Sequence, residues 1–323
     1  MTKPVVVVTR RVPAEVEAEV ARDFDARFNA DDVPFTPDQL REALRTADAI
    51  LPTVTDRITA DVLGVEPLRT RLIANFGVGF NHIDVEAARS RGLAVSNTPD
   101  VLTDATADLA MTLLLMAARR AGEGERHLRA GQWTGWRPTH MLGTHVTGKT
   151  LGLVGMGRIA RAVARRAHHG FGMRVLFHDP FPPSPADAAA LGATPVASLD
   201  ALFEGSDFVS LHCPATPETR HLVNAARLGQ MKRGAILVNT ARGDVVDEAA
   251  LVVALQAGTI AAAGLDVFER EPQVTAALLA MENVVLLPHL GSATRETRVA
   301  MGMRALENLR LFFAGKPLRD KVV

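Results

Sequence analysis

The sequence has almost no cysteine, which excludes two kinds of site. Cys213 is the only cysteine among 323 residues, so the chain can form neither an intramolecular disulfide nor a cysteine cluster for zinc. We expect no bound metal. A single thiol suits the reducing cytoplasm, and the N-terminal stretch MTKPVVVVTR has no apolar core of signal-peptide length. We therefore expect a cytoplasmic protein.

A net charge and a long hydrophobic run are also missing. Lys plus Arg and Asp plus Glu each number 36, so no basic field favours nucleic acid or an anionic membrane. The longest apolar run, residues 109–118, is too short to span a bilayer. We expect a small-molecule partner, no nucleic acid and no membrane.

What the sequence does contain is an alternation of short β-branched runs and longer helical patterns, which is typical of βα units and a parallel sheet. The class is α/β, and the length favours two domains. Strands are predicted at 5–8, 48–51, 71–75, 93–97, 150–154, 174–178, 207–212, 235–240, 261–266 and 284–287.

Two longer segments are predicted as helices. Residues 101–120 are apolar on most faces and end in basic residues, which the helix dipole favours, and a looser region is expected at 122–148. A final helix is predicted at 292–314. If it packs on the first hundred residues, the N-terminal domain is discontinuous and His289 lies at the crossing between domains, where ligands usually bind.

The stretch LGLVGMGRIARAVARRA, residues 151–167, indicates a nucleotide site. Gly155, Gly157 and Ala160 follow an apolar strand and open a helix. The first glycine allows a tight turn, the second lets the backbone approach a pyrophosphate, and a small third residue lets helix and strand pack closely. The helix N-terminus and Arg158 would favour phosphate. The alternative is that these glycines serve only the turn.

An acid ends the following strand. Asp179 comes nineteen residues after Ala160, where a carboxylate can accept both ribose hydroxyls and repel a 2′-phosphate. This predicts NAD(H) rather than NADP(H). The alternative is that Asp179 and Pro180 form only a turn.

Three ionisable residues follow consecutive late strands, at the edge where open α/β sheets bind ligands. Arg242 offers a fork that matches a carboxylate, and its alternative role is a structural ion pair. Glu271 could orient a histidine, although Glu269 lies too close in sequence for spacing to decide between them. His289, taken alone, is as well explained by packing as by catalysis.

Several motifs, in order along nearly the whole chain, resemble the NAD-dependent D-2-hydroxyacid dehydrogenase family. The resemblance implies a Rossmann-type NAD domain, residues 99–291, inserted in a flavodoxin-like substrate-binding domain, residues 1–98 and 292–323. The motifs are GVGFNHID (77–84), NTPDVLTDATADLA (97–110), GMGRIA, NTARGDVVDE, GLDVFEREP and LLPHLGSAT.

The resemblance implies roles for individual residues. Arg242, Glu271 and His289 match the family's catalytic set, and the acid directly before the proline selects Glu271 over Glu269. Arg242, His289 and the backbone amides of Val78 and Gly79 are implied to bind substrate. The implied nucleotide contacts are Thr106, Gly155, Gly157, Arg158, Ile159, Asp179, Pro180, Cys213, Thr240, Ala241, Asp266, His289 and Gly291.

Within the family, GQWTGWRP (131–138) resembles glyoxylate/hydroxypyruvate reductases, in which a tryptophan matching Trp136 reaches the neighbouring subunit's substrate site. The resemblance implies a homodimer. It also implies NADH-dependent reduction of glyoxylate and hydroxypyruvate to glycolate and D-glycerate, with His289 as acid and base. The alternatives are another 2-keto acid, such as pyruvate or phenylpyruvate, and a non-enzymatic NAD(H)-sensing regulator.

Overall fold

The computed structural model describes residues 2–323 and confirms the α/β class. The strands, in chain order, are β1 (Val5–Val8), β2 (Asp25–Phe28), β3 (Ala49–Leu51), β4 (Leu72–Ala74), β5 (Ala94–Ser96), β6 (Thr150–Val154), β7 (Arg174–His178), β8 (Ala193–Pro195), β9 (Phe208–Leu211), β10 (Ile236–Asn239), β11 (Ala262–Leu265) and β12 (Val284–Leu286). The helices are α1 (Ala14–Asp23), α2 (Pro37–Thr46), α3 (Ala60–Leu63), α4 (Val85–Ser90), α5 (Thr103–Ala118), α6 (Ala121–Arg129), α7 (Arg158–Arg165), α8 (Pro185–Ala190), α9 (Leu199–Gly205), α10 (Ala225–Gln230), α11 (Glu248–Gln256), α12 (Ala276–Leu279) and α13 (Arg295–Phe313).

The chain divides into two compact units. Unit 1 comprises the residues up to Leu102 together with Ser292–Val323, and unit 2 is Thr103–Gly291. Within residues 2–323, no helix combines the length and the apolar character needed to cross a membrane.

Unit 1 is built on a five-stranded parallel sheet in the order β2-β1-β3-β4-β5, the flavodoxin-like order. Strands β1, β3 and β4 are wholly buried and apolar, as expected when helices cover both sheet faces. Helix α13 packs against α1 and β4. The approach to α1 requires Gly302, since a Cβ there would lie 2.5 Å from Val16 Cγ2.

Unit 2 is built on a seven-stranded parallel sheet in the order β12-β11-β10-β9-β6-β7-β8. The chain starts at β6 in the interior of this sheet, runs outward to β8, and then returns to β9 on the other side of β6. This reversal is the arrangement of a dinucleotide-binding sheet, which receives its ligand beyond the carboxyl ends of the strands at the switch point. Helix α5 packs on α7, β10 and β11 and forms much of the core.

The structure differs from the sequence-based expectation in three elements. Strands β2 and β8 were not expected, and both lie at sheet edges. The region predicted to be loose from residue 122 begins instead with helix α6. That helix has no buried residue, so it lacks the apolar stripe by which a surface helix is recognised.

Candidate active site

The centre of the candidate site is a contact between two residues on neighbouring strand ends of unit 2. His289 follows β12 and Glu271 follows β11, and His289 Nδ1 lies 2.8 Å from Glu271 Oε2. An ionised carboxylate can only accept, so the imidazole carries a proton on Nδ1. The second ring nitrogen, Nε2, is therefore the atom that can give up or take a proton.

Backbone groups fix both members of this pair. Glu271 Oε1 accepts the N–H of Phe268 at 3.0 Å, and the His289 N–H donates to the carbonyl of Asp266 at 2.9 Å.

The Glu271 carboxyl is a stronger acid than usual. Burial acts to raise the pKa of Glu271, but the bond to His289 and the nearby Arg242 charge outweigh it, and the pKa lies below its usual value. Glu271 is therefore ionised at neutral pH.

Arg242 lies on a tight turn directly after β10. The side chain of Asn239 accepts the Ala241 N–H at 2.9 Å and donates to the Arg242 carbonyl at 2.8 Å, which fixes the turn. The guanidinium donates through Nη1 to the Ala241 carbonyl at 2.7 Å. Burial lowers the pKa of Arg242, against the attraction of Glu271 and Asp244, but an arginine stays charged in proteins.

The Arg242 turn touches the segment that carries Glu271 without any intervening side chain. A Cβ at Gly243 would lie 1.9 Å from the carbonyl carbon of Phe268, a distance that no side chain tolerates. Glycine at 243 therefore allows two backbone segments to meet, and this contact sets the spacing between Arg242 and Glu271.

The two acids that spacing could not separate have different partners. Glu269 Oε1 lies 2.9 Å from His221 Nε2, whereas Glu271 contacts His289. The structure thus places Glu271, and not Glu269, beside the candidate acid. His221 was not singled out from the sequence, because it precedes no recognisable motif.

The glycine-rich turn lies between β6 and α7. Gly155 has a φ of +89°, and a Cβ there would come within 3.0 Å of the His212 carbonyl oxygen, so the turn itself requires this glycine. Gly157 has an ordinary φ of −71°, and nothing lies within 4 Å of a Cβ built on it. The turn therefore does not explain Gly157, while close approach of a ligand to its backbone does. Ala160 is fully buried.

Asp179 lies at the carboxyl end of β7 and reaches back to this turn. Its Oδ2 accepts the Met156 N–H at 2.6 Å, and its Oδ1 accepts the Phe181 N–H at 2.7 Å. The second bond is a local turn, as the alternative reading of Asp179 and Pro180 expected, but the first is not. Each carboxylate oxygen keeps a further lone pair for a hydroxyl donor.

One buried hydroxyl at the same sheet edge indicates a missing polar partner. Thr240 Oγ1, directly after β10, is buried and has no hydrogen-bond partner, a state that buried polar groups rarely occupy. The Thr240 hydroxyl has no partner, the space beside the Gly157 backbone is empty, and the Asp179 carboxylate can accept further hydrogen bonds. Together these features fit a dinucleotide. These residues can therefore hold a cofactor of this class.

The remaining predicted nucleotide positions cluster at this edge or contact it. Thr106 on α5 donates to the Gly291 carbonyl at 3.0 Å. Asp266 accepts the Leu290 and Gly291 N–H groups at 2.6 and 2.8 Å, so its carboxylate shapes the turn after His289. The others adjoin the turns after β6, β7, β9 and β10: Arg158, Ile159, Pro180, Cys213 and Ala241.

Burial raises the pKa of the Cys213 thiol to about 11. A thiol is nucleophilic only as the thiolate, so this side chain is inert at neutral pH. Any contact of position 213 with a nucleotide would use its backbone.

In unit 1, the turn that carries Val78 and Gly79 is held by two asparagine side chains. Asn75 Nδ2 donates to the carbonyls of Gly77 and Gly79, each at 3.0 Å, and Asn97 Nδ2 donates to the Val78 carbonyl at 2.9 Å. The carbonyls are thereby bound on one side, which leaves the peptide N–H groups available to a ligand. The sequence signal for this role is positional, because Asn75 and Asn97 each directly follow a short, largely buried strand.

The predicted inter-subunit tryptophan lies on an exposed stretch of unit 2. Trp136 is 81% exposed and Trp133 is 52% exposed, in the segment after α6. Leu128 and Leu142, in and after the same helix, are also exposed. Several large apolar side chains in one exposed region are unusual for a free surface.

The chain is similar to known proteins over nearly its full length. Residues 111–291 match a family model described as D-isomer specific 2-hydroxyacid dehydrogenase, NAD binding domain. A glyoxylate reductase of Korarchaeum cryptofilum is 47% identical over 316 residues, which cover 97% of this chain and 94% of that protein. A glycerate dehydrogenase of Hyphomicrobium methylovorum is 40% identical over 98% of both chains.

A solved structure shares the fold. The NADPH-dependent glyoxylate/hydroxypyruvate reductase of Sinorhizobium meliloti, in complex with NADP and malonate, superposes with a TM-score of 0.89 at 36% identity, and the match covers 100% of this chain and 97% of that one.

Proposed function

We propose that this chain, which belongs to the D-isomer specific 2-hydroxyacid dehydrogenase family, reduces glyoxylate and hydroxypyruvate with NADH to glycolate and D-glycerate. As a member of that family it is an oxidoreductase with a nicotinamide-binding domain. The observation that carries the proposal is the 2.8 Å contact of His289 Nδ1 with Glu271 Oε2, because it leaves Nε2 of the imidazole to deliver a proton. The names of the relatives, glyoxylate reductase and glycerate dehydrogenase, support the substrate class.

Two groups are proposed to bind the substrate carboxylate. The guanidinium of Arg242 offers paired N–H donors in the geometry of a carboxylate. The Val78 and Gly79 amides, whose turn is held by asparagine bonds to its carbonyls, are proposed as the second set of donors. Fixing the carboxylate holds the keto carbon in one orientation toward the acid and the cofactor. The reaction between them then proceeds as an effectively unimolecular step.

His289 is proposed as the acid of the reduction. Protonated at both nitrogens, it gives its Nε2 proton to the carbonyl oxygen, and in the reverse direction it takes that proton back. Glu271 fixes the ring through Nδ1 and stabilises its positive charge. The keto group thus becomes a hydroxyl with one proton from His289, while a bound dihydronicotinamide supplies the hydride.

The cofactor is proposed to lie along the strand ends of unit 2, with NADH preferred to NADPH. Gly155, Gly157 and the start of α7 would hold the pyrophosphate, and Thr240 would donate or accept at its orphaned hydroxyl. Asp179 would bind the ribose hydroxyls, and its charge would repel a 2′-phosphate. In this assignment unit 2 is the NAD-binding domain and unit 1 the substrate-binding domain.

The experiment that tests this function follows NADH oxidation against glyoxylate, hydroxypyruvate, pyruvate and phenylpyruvate, each repeated with NADPH. We expect the highest kcat/KM with glyoxylate or hydroxypyruvate and NADH. His289→Asn should lower kcat by about 100-fold or more, the usual contribution of general acid catalysis. Near-normal turnover of that variant would reject His289 as the acid, and no turnover of glyoxylate or hydroxypyruvate by the native protein would reject the proposed substrates.

We also propose a cytoplasmic homodimer in which Trp136 completes the neighbouring subunit's substrate site. The exposed apolar side chains around α6 support an interface there. Light scattering would give the subunit number, and Trp136→Ala should raise the KM for glyoxylate. Mixing Trp136→Ala chains with inactive His289→Asn chains should restore a native-like KM, because a hybrid pairs an intact Trp136 with an intact His289. If mixing restores nothing, Trp136 does not act across an interface.

A further inference from the structure

Glu248 is a buried carboxylate that the proposed chemistry does not use. It lies at the start of α11 and is only 6% exposed. Its Oε1 accepts the backbone N–H of Glu269 at 2.7 Å, and its Oε2 accepts the hydroxyl of Thr275. Burial of a carboxylate is costly unless strong hydrogen bonds compensate for the lost water, so both bonds are needed to keep Glu248 in place.

The two donors lie on either side of Glu271 in the chain. Between them the backbone makes a small turn, in which the Gln273 N–H donates to the Arg270 carbonyl at 2.9 Å. Residues 270–273 are exposed, and so have little packing of their own. One buried side chain on a core helix thus holds both ends of an exposed segment that carries Glu271.

A second contact fixes the first end of this segment. The side chain of Glu269 bonds to His221 at 2.9 Å, and Arg220 lies 4.0 Å from the same carboxylate oxygen. Charged groups around the Glu271 carboxylate are His289, Arg242 and Asp266. The second end of the segment is held by the Glu248–Thr275 bond and by Val274, which packs on the hydrophobic core.

We infer that Glu248, together with Thr275, is a positioning residue that keeps the Glu271 carboxylate against His289. The inference rests on the proposed role of Glu271. If the bond to Thr275 is removed, the second end of the segment loses its polar contact with α11, and if both bonds are removed, the first end keeps only the Glu269–His221 contact. In either case Glu271 is held less firmly beside Nδ1. The imidazole then loses its orientation and the negative charge that favours its protonated form.

The test measures kcat for glyoxylate reduction by the full-length protein as a function of pH. Thr275→Val removes one donor, and Thr275→Ser is its matched control, because it keeps the hydroxyl. Glu248→Ala removes both bonds, and Glu248→Gln is the conservative rescue, since its amide can accept the Glu269 N–H and donate to Thr275. We expect kcat to fall by about 10- to 100-fold in Thr275→Val and Glu248→Ala, the cost of small misplacements at an active site.

The readout that separates positioning from folding is the alkaline midpoint, the pH above which reduction loses half its rate. The alkaline midpoint should move to lower pH in Thr275→Val and Glu248→Ala, as it should in Glu271→Gln. In the two conservative variants, Thr275→Ser and Glu248→Gln, the midpoint should stay close to the native value. Glu248→Ala should cause no further shift when Glu271→Gln is already present, because Glu248 acts through Glu271. The KM for NADH should change by less than about twofold in the single variants, since no nucleotide contact is altered.

Each outcome decides a different point. If the alkaline midpoint of Glu248→Ala and Thr275→Val stays native while only Tm falls, Glu248 is structural and the inference is wrong. If Glu248→Ala does not fold, the comparison of Thr275→Val with Thr275→Ser decides alone. If Glu271→Gln itself leaves the midpoint unchanged, the proposed function fails at Glu271, independently of Glu248.

Discussion

His289 Nδ1 and Glu271 Oε2 lie 2.8 Å apart, and each side chain is one-third exposed. The pair is therefore neither fully buried nor fully solvated. In such a setting a carboxylate can stabilise an imidazolium appreciably, because water screens the attraction only in part.

Glu271→Gln should lower the rate of reduction and move its alkaline limb. The pKa of Glu271 lies below its usual value, so the side chain is negative across the neutral range, and glutamine removes that charge while keeping an acceptor for Nδ1. The imidazolium loses the adjacent negative charge that stabilises it, so we expect the alkaline midpoint of reduction to fall. Rates measured from pH 5 to 10 would show this.

The reverse reaction supplies the control for that prediction. Oxidation needs the neutral imidazole, so its acid limb should move to lower pH by the same amount as the alkaline limb of reduction. If the two limbs move in opposite directions in this variant, the two reactions do not depend on the same proton of His289.

Substitution of Asp179 should change the choice of cofactor. Asp179→Asn keeps an oxygen acceptor for one of the two backbone N–H groups but removes the charge that opposes a 2′-phosphate. Two unit charges about 4 Å apart repel by about 4 kcal/mol at an effective dielectric constant of about 20, so the kcat/KM ratio of NADPH to NADH should rise at least about tenfold. An unchanged ratio would mean that Asp179 serves only the turn.

Asn75→Asp should weaken substrate binding without affecting the nucleotide. Aspartate has nearly the same shape but cannot donate, so the carbonyls of Gly77 and Gly79 lose their bonds and the turn that carries the Val78 and Gly79 amides loosens. Two hydrogen bonds worth about 1 kcal/mol net each correspond to about a 30-fold higher KM for glyoxylate. The KM for NADH should stay native, and a parallel rise in both would indicate general misfolding instead.

Cys213 should react slowly with alkylating reagents at neutral pH. Its pKa is raised to about 11 by burial, and because only the thiolate reacts, the rate with iodoacetamide should increase about tenfold per pH unit between pH 7 and 10. Cys213→Ala should keep native kcat for glyoxylate. Rapid alkylation at pH 7 with loss of activity would show a reactive thiol.

Buried elements could be predicted from the sequence, whereas solvated ones could not. Strands such as β6 and β10 are buried along their whole length and therefore read as apolar runs. Three of the four residues of β2 are exposed, and β8 ends in Pro195, so these edge strands carry no such run. Helix α6 contains Gly122 and Gly124, which lower its helix propensity, and it buries no residue, so it has no buried apolar face to mark it in the sequence.

For the site, the sequence predicted which residues follow the strands but not which of them touch. Glu269 and Glu271 differ by two positions, and only the tertiary structure gives one of them His221 and the other His289. The resemblance to a family supplied that choice. The role of Glu248 cannot be predicted from the sequence, because its partners lie 21 and 27 residues away and no local pattern encodes contacts at that separation.

The backbone of His289 affects how its chemistry can be tested. Its φ is +53°, a left-handed conformation in which asparagine, aspartate and histidine occur far more often than other residues with side chains. A β-branched replacement would distort the turn itself, and a lost rate could then come from displaced peptide groups rather than from a missing proton. Asparagine tolerates this backbone and cannot protonate a carbonyl, so in a mutational scan of position 289 it is the substitution that reports on proton transfer alone.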